Sequence, residues 1–331
     1  MSKQNVGVAD SPPAWLRRFA KFVFFSTFLL IIAGGLVTST GSGLAVPDWP
    51  LSFGQFFPEM KGGVLFEHGH RMVAGTVGIL MTALALAIWF VERRRWVRWL
   101  ALAAWMAVVI QAILGGITVL HQLPTPVSVS HAGLASVFYS LTAVLALVTS
   151  KTWTNKRRED WKALPRSVVG LCIATSAVIY TQLILGAIMR HMGAGVAIPD
   201  FPKSFGMWIP PLTVMTVIMN FSHRVGALVV GLVLITMLVR MERLGTLADG
   251  YRSWARLLAG LYLVQFTLGA LTVWSIKAVD ITTAHVVTGA TMFALSVILS
   301  FKSAGSRVMS VAPEKALRGH LSGASLQEAT S

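Results

Sequence analysis

Four histidines stand near the start of long apolar runs, where an ionisable side chain is unfavourable unless it has a partner or a function. They are His70, His131, His223 and His285. The second pair repeats the first at spacings of 153 and 154 residues, so the chain carries two equivalent sets of two imidazoles. Imidazole is a common ligand of metal ions and of haem iron. The pattern therefore predicts two sites with two histidine ligands each.

Haem suits two facing imidazoles, because a helix bundle can hold a cofactor between side chains of different helices. Zinc is disfavoured, since the two halves share no carboxylate or thiolate that would complete a tetrahedral set. The alternative is that the histidines only form hydrogen bonds between helices and bind nothing. Their repetition at one predicted depth favours ligation. The other histidines have no counterpart in the opposite half and are assigned to no iron; they are His68, expected on the outer surface or behind the ligand, and His121, His191 and His320.

One residue distinguishes the two predicted sites. Glu67 precedes His70 by three positions, so both lie on one helix face, whereas the counterpart of Glu67 in the second half is Asn220. A carboxylate beside a ligand can exchange protons during catalysis, while a site without one suits electron transfer. The spacing equally allows Glu67 to pair with Arg71 and anchor the helix end.

Two further repeated pairs accompany the histidines: Arg71 with Arg224, and Gln111 with Gln265. The arginines directly follow His70 and His223 and could bind haem propionates or reach lipid headgroups. The glutamines could contact a cofactor or join helices, and joining helices is favoured because an unpaired amide in a membrane is unfavourable.

The composition places these residues in a membrane. Of 331 residues, 55% are hydrophobic and only 12% are charged, about half the charge of a typical soluble domain. A net charge of +15 would suggest nucleic acid in a soluble protein, but here the charges lie between apolar runs, so no nucleic-acid partner is expected and the partner is the lipid bilayer. The single cysteine, Cys172, lies inside an apolar run and excludes an intramolecular disulfide. Eight runs of about 20 residues predict transmembrane helices at 19–39, 66–91, 99–119, 128–149, 168–189, 213–239, 255–274 and 281–301.

An internal repeat organises these helices. The segment 41–54 (GSGLAVPDWPLSFG) recurs 152 residues later as 193–206 (GAGVAIPDFPKSFG), and the histidine, arginine and glutamine pairs follow in the same order. Most of the 28 Lys and Arg residues lie in the termini and alternate connections, which predicts a multi-pass protein of the cytoplasmic membrane with both termini cytoplasmic. The histidines then lie in the outer half of the bilayer.

The sequence thus predicts an all-α polytopic membrane protein with eight transmembrane helices as two tandem four-helix bundles. The expected division is a cytoplasmic N-terminus (1–18), an N-terminal half (19–150), a cytoplasmic linker (151–167), a C-terminal half (168–302) and a disordered cytoplasmic tail (303–331).

The chain resembles the haem A synthases, membrane enzymes that oxidise a methyl group of haem O to the formyl group of haem A for terminal oxidases. The resemblance covers about residues 20–301 and rests on the repeated helices and on four helix-opening motifs: Glu67-x-x-His70-Arg71, His131, His223-Arg224 and His285. Some bacterial members carry a cysteine pair in the first outer loop. This chain has none there, and any role of such a pair is absent.

The resemblance implies a division of labour. His70 and His131 would hold haem O as substrate in a catalytic N-terminal half with Glu67 as the essential carboxylate, and His223 and His285 would hold a permanent haem b for electron transfer. Two successive hydroxylations and loss of water would give the aldehyde. Further partners would be molecular oxygen or water, an electron donor that the sequence does not identify, and the haem O synthase. The alternative is a di-haem b membrane cytochrome that passes electrons from quinol.

Overall fold

A computed structural model describes residues 12–155 and 162–311 of the chain. Within these ranges the regular structure is helical and no extended strand forms. The α-helices are α1 (Ala14–Ser39), α2 (Gly63–Val91), α3 (Arg95–Leu120), α4 (Thr125–Val148), α5 (Lys151–Thr154), α6 (Arg166–His191), α7 (Met215–Arg243), α8 (Arg252–Trp274) and α9 (Val279–Val311).

Eight of these helices, all except the one-turn α5, are long and apolar enough to cross a membrane. Their many exposed apolar side chains, such as Phe25, Ile79, Phe90 and Leu232, would face water in a soluble protein but face acyl chains in a bilayer. The prediction of an all-α polytopic membrane protein with eight spanning helices is therefore confirmed.

The helices extend beyond the apolar runs at several ends. The first helix begins at Ala14 rather than at 19, and α9 continues to Val311, so residues 303–311 are helical where the sequence predicted a disordered tail. Hydropathy marks only the part of a helix that suits hydrocarbon, whereas backbone hydrogen bonding continues into more polar sequence. Residues 1–11, 156–161 and 312–331, which include the rest of the predicted tail and part of the linker, lie outside the described ranges.

The helix contacts close into two rings. Helix α1 contacts α2, α2 contacts α3, α3 contacts α4, and α4 contacts α1; α6, α7, α8 and α9 repeat this pattern. The rings meet where α9 packs against α1 and α4, and where α4 packs against α6. Helices α2 and α4, like α7 and α9, therefore face each other across a ring.

Each ring has a filled end. Buried apolar side chains from all four helices form one cluster per ring, including Met81, Leu84 and Ile88 on α2 and Leu234 and Met237 on α7. These residues lie in the half of each helix distant from the histidines. We refer to the opposite end of the molecule, where α1, α3, α6 and α8 finish and α2, α4, α7 and α9 begin, as the histidine end.

Two long loops cover the histidine end: residues 40–62 between α1 and α2, and residues 192–214 between α6 and α7. The first follows a Schellman turn, in which Gly41 adopts a φ of 70° and the Ser42 N–H donates to the Val37 carbonyl at 2.9 Å. Each loop contains a tight turn closed by paired backbone bonds, between Ser52 and Gln55 in one and between Ser204 and Met207 in the other. The sequence repeat is therefore also a structural repeat.

Candidate haem sites

The four predicted ligands lie within the first three turns of α2, α4, α7 and α9, on helices that face each other across a ring. His70 and His131 belong to the first ring, and His223 and His285 to the second. Every ligand candidate therefore lies at the same end of its ring, above the filled apolar part.

The second pair has a spacing that suits a shared metal. The ring centres of His223 and His285 lie 6.5 Å apart, with an angle of 74° between the ring planes. A metal–imidazole bond of about 2 Å places the centres of two opposing rings about 6 Å apart. This spacing would allow the two imidazoles to bind one iron atom.

The first pair carries unused hydrogen-bonding capacity. Nδ1 of His70 and Nδ1 of His131 are buried and have no hydrogen-bond partner among the described residues. No cluster of three or more His, Cys, Asp or Glu side chains that could hold a metal ion occurs in the described ranges. Two imidazoles per ring fit a haem, because the porphyrin itself supplies the remaining ligands of the iron.

A glycine of the neighbouring helix lies against each of these rings. The distances from a Cβ built on the glycine to the facing imidazole Cε1 are 3.2 Å for Gly34 and His70, 3.4 Å for Gly115 and His131, 2.8 Å for Gly186 and His223, and 3.2 Å for Gly269 and His285. A Cβ on Gly186 would displace the His223 ring, a Cβ on Gly34 or Gly269 would crowd the facing ring, and a Cβ on Gly115 would make an ordinary contact. The sequence reasoning did not identify this role, although the glycines recur at the repeat spacing.

Glu67 holds the first long loop. It is 3% exposed, its Oε2 accepts the Val46 N–H at 2.9 Å, and its Oε1 accepts from Arg71 Nη2 at 2.5 Å. The pairing with Arg71 that the spacing allowed is therefore present, and it is buried rather than exposed. Asn220 also holds the second long loop, but as a donor, since its Nδ2 donates to the Ala194 carbonyl at 2.8 Å. The two residues occupy equivalent positions and differ in charge and in the loop groups that they bind.

Arg71 and Arg224 join these clamps. Arg71 donates to the carbonyls of Asp48 at 2.7 Å and Leu51 at 3.0 Å. Arg224 donates to the Asp200 carbonyl at 2.7 Å and, through Nε, to Asn220 Oδ1 at 2.9 Å. Both guanidiniums thus donate mainly to loop carbonyls. The sequence had suggested haem propionates or lipid headgroups as partners of both arginines. Binding of a propionate or a lipid headgroup by these arginines stays a prediction.

The loops are shaped by an aspartate in each turn. Asp48 accepts the N–H groups of Phe53 at 2.7 Å and Gly54 at 2.8 Å, and Asp200 repeats this arrangement in the second long loop. The backbone donor of Gly54 is the main reason that the pKa of Asp48 lies below its usual range. Both turns are therefore built around an ionised carboxylate.

Glutamines contact the histidine residues themselves. Gln111 Nε2 donates to the His131 carbonyl at 2.9 Å, and Gln265 Nε2 lies 3.3 Å from His285 Nε2. Each therefore joins two helices directly at a ligand candidate. A third amide, Gln182 on α6, donates to the His223 carbonyl at 2.8 Å. It was not predicted, because its counterpart in the first half is Leu30 and the repeat gave no signal.

His68 is buried, with 6% of its surface exposed, and does not lie on an outer surface. Its Nδ1 lies 2.7 Å from Ser52 Oγ, so it supports the first long loop. Its Nε2 has no partner among the described residues. The prediction that His68 does not bind iron stays a prediction.

These features define a polytopic membrane protein with two repeat-related pairs of facing imidazoles, each beneath a clamped loop. Residues 57–297 match the model of a family described as COX15-CtaA, cytochrome oxidase assembly protein, and the chain belongs to this family.

Curated relatives extend over most of the chain. It is 29% identical over 288 residues to the heme A synthase of Bacillus pumilus, which covers 82% of this chain and 89% of the relative. It is 32% identical over 257 residues to the heme A synthase of Symbiobacterium thermophilum, covering 73% of this chain and 80% of the relative. The heme A synthase of Shouchella clausii is 27% identical over 229 residues, covering 68% and 75%.

Proposed function

We propose that this protein is a haem A synthase, which oxidises a methyl group of haem O to a formyl group by two successive hydroxylations and loss of water. Its family and relatives support the coarse activity. The observation that carries the finer assignment is an asymmetry between the two repeat-related sites, because Glu67 occupies the position of Asn220.

The N-terminal ring takes the substrate, haem O, with His70 and His131 as its iron ligands. Glu67 lies one turn before His70 on the same face of α2 and is the catalytic carboxylate, exchanging a proton with the reacting group. Its hydrogen bonds to Val46 and Arg71 hold the carboxylate in place. The first long loop, held by this clamp, helps to exclude water from the site.

The C-terminal ring holds a permanent haem b on His223 and His285. A haem bound by two imidazoles supplies one-electron transfer. Asn220 keeps the second long loop clamped without adding an ionisable group beside this site. Gln182 and Gln265 fix the positions of the two ligand-bearing residues.

The protein lies in the cytoplasmic membrane with both termini in the cytoplasm and the histidine end outward. Its further partners are molecular oxygen or water, an electron donor, and the haem O synthase as the source of its substrate. The basic residues near the opposite end, including Arg94, Arg98 and Arg240, support this orientation.

Pigment analysis tests the proposal. We expect the purified full-length protein, produced in cells that make haem O, to yield haem b together with haem O or haem A on extraction. His223→Leu should remove the low-spin b-type spectrum and leave haem O or haem A bound, whereas His70→Leu should do the reverse. Haem b alone, lost in equal parts from the two variants, would instead identify a di-haem cytochrome.

A further inference from the structure

Helix α6 presents a stripe of three residues to the C-terminal site. Gln182, Gly186 and Arg190 are spaced four apart and therefore lie on one face. Gly186 lies against the His223 ring, and Gln182, one turn towards the filled end, donates to the His223 carbonyl at 2.8 Å. Arg190 lies one turn nearer the histidine end on this same face.

The Arg190 guanidinium makes one hydrogen bond among the described residues and has further N–H donors. It is partly buried and donates to Ser39 Oγ on α1 at 3.0 Å, and no carboxylate among the described residues lies within ion-pair distance of it. A guanidinium at this depth is unfavourable unless an anion or further acceptors complete its hydrogen bonds.

The N-terminal site lacks both polar members of the stripe. The equivalent face of α1 carries Leu30, Gly34 and Thr38, and Gly34 lies against the His70 ring. Thr38 Oγ1 bonds to the Gly34 carbonyl of its own helix at 3.1 Å and offers no charge. In both rings a glycine lies against a histidine. The residues one turn before and one turn after this glycine differ between the rings.

We propose that Arg190 binds a propionate carboxylate of the haem held by His223 and His285, and that Thr38 at the equivalent position leaves the N-terminal haem free to exchange. The assignment rests on the proposed function. Haem propionates are charged, so their edge of the ring points to the nearer aqueous boundary, which is the histidine end. A guanidinium–carboxylate bond there slows haem release, because charge-assisted hydrogen bonds are among the strongest in proteins.

Arg71 and Arg224 cannot explain such a difference between the sites. Both are present, one per half, and both spend most of their donors on loop carbonyls. Arg190 is the charged residue of the stripe that one half has and the other lacks.

The test measures transfer of haem b from the purified holoprotein to excess apomyoglobin. Arg190→Leu should bind haem b with its low-spin spectrum but release it roughly 10- to 100-fold faster. Its midpoint potential should be more negative than in the unaltered protein, since a nearby positive charge is removed. Arg190→Lys should restore part of the retention. Thr38→Arg should slow the release of haem O or haem A from the N-terminal half in the same assay.

Ser39→Ala is the matched control, because it breaks the hydrogen bond of Arg190 to α1 and keeps the charge. We expect normal haem retention in this variant. If Ser39→Ala releases haem b as fast as Arg190→Leu, or if Arg190→Leu and Arg190→Gln retain it normally, Arg190 is a helix-joining residue and the assignment is wrong. If the unaltered protein contains no haem b, both the proposed function and the assignment of Arg190 are wrong.

Discussion

Glu67 and Asn220 occupy equivalent positions in the two halves, but only Glu67 can ionise. Both are buried at 3% and 2% exposure, and both clamp a long loop and an arginine four residues later. The second half shows that an amide can clamp a long loop and an arginine, so this structural role does not require a carboxylate. The carboxylate in the first half adds an ionisable group at this position, which is the basis of its proposed role in proton transfer.

Glu67→Gln keeps the size of the side chain and removes its ionisation. We expect haem A formation to fall about 100-fold to 10,000-fold, the usual contribution of a positioned acid or base, with haem O or a partly oxidised product accumulating. Separation of the extracted haems measures this, and an unchanged haem b spectrum shows that the protein has folded.

Asp48→Asn is the control for Glu67→Gln, because it weakens the turn of the first long loop and leaves Glu67 in place. Haem A formation should persist in this variant. Production of haem A by Glu67→Gln at a rate near that of the unaltered protein would show that the carboxylate serves only the clamp.

At the scale of elements, the helices that carry ligands approach their neighbours through a glycine. The approach is tightest between α6 and α7, where a Cβ on Gly186 would lie 2.8 Å from His223 Cε1. Real Cβ atoms do not come so close, so the imidazole or the helix would have to move. Close helix packing through small residues is common in membranes, and here it also sets the position of a ligand candidate.

Gly186→Ala should therefore displace His223 and lower the haem b content of the purified protein several-fold, measured from the reduced-minus-oxidised spectrum. Gly170→Ala is the matched control on the same helix, since a Cβ there meets nothing within 4 Å. It should bind haem b normally. A normal b-type spectrum in Gly186→Ala would mean that the glycine contact does not position the ligand.

At the scale of the whole molecule, the two rings form one body around an apolar contact of α1, α4 and α9. Tyr139 stacks on Phe24 with ring centres 5.3 Å apart, and Ala290 and Ala294 of α9 pack beside Tyr139. Both pairs of imidazoles consequently lie at the same end of the molecule. Under the proposed function, this arrangement would suit electron transfer between a permanent haem and a substrate haem.

The orientation of this body can be tested by reporter fusions. Fusions after residues 95, 160, 245 and 310 should all report the cytoplasm, because the connections there carry most of the basic residues. A fusion after residue 57, in the first long loop, should report the outer side. A periplasmic signal from any of the first four would overturn the orientation or the number of spanning segments that precede it.

The sequence by itself determined the helices, the repeat and the identity of the ligand candidates. Apolar runs of about 20 residues have few alternatives to a spanning helix, and an ordered series of matches such as His70 with His223 can be read without coordinates. The sequence also located one charge difference between the two sites, Glu67 against Asn220. Each of these signals is local or is repeated at a fixed spacing.

Only the tertiary structure decided which groups those residues contact. Arg71 and Arg224 bond to loop carbonyls 20 or more residues away, Gly34 and Gly186 lie against imidazoles of other helices, and Gln182 reaches His223 from α6. Such contacts depend on how helices are rotated and how loops fold back, which no period in the sequence records. The sequence did not reveal the roles of Gln182 and Arg190, because neither residue has a similar counterpart at the repeat spacing that identified the histidines.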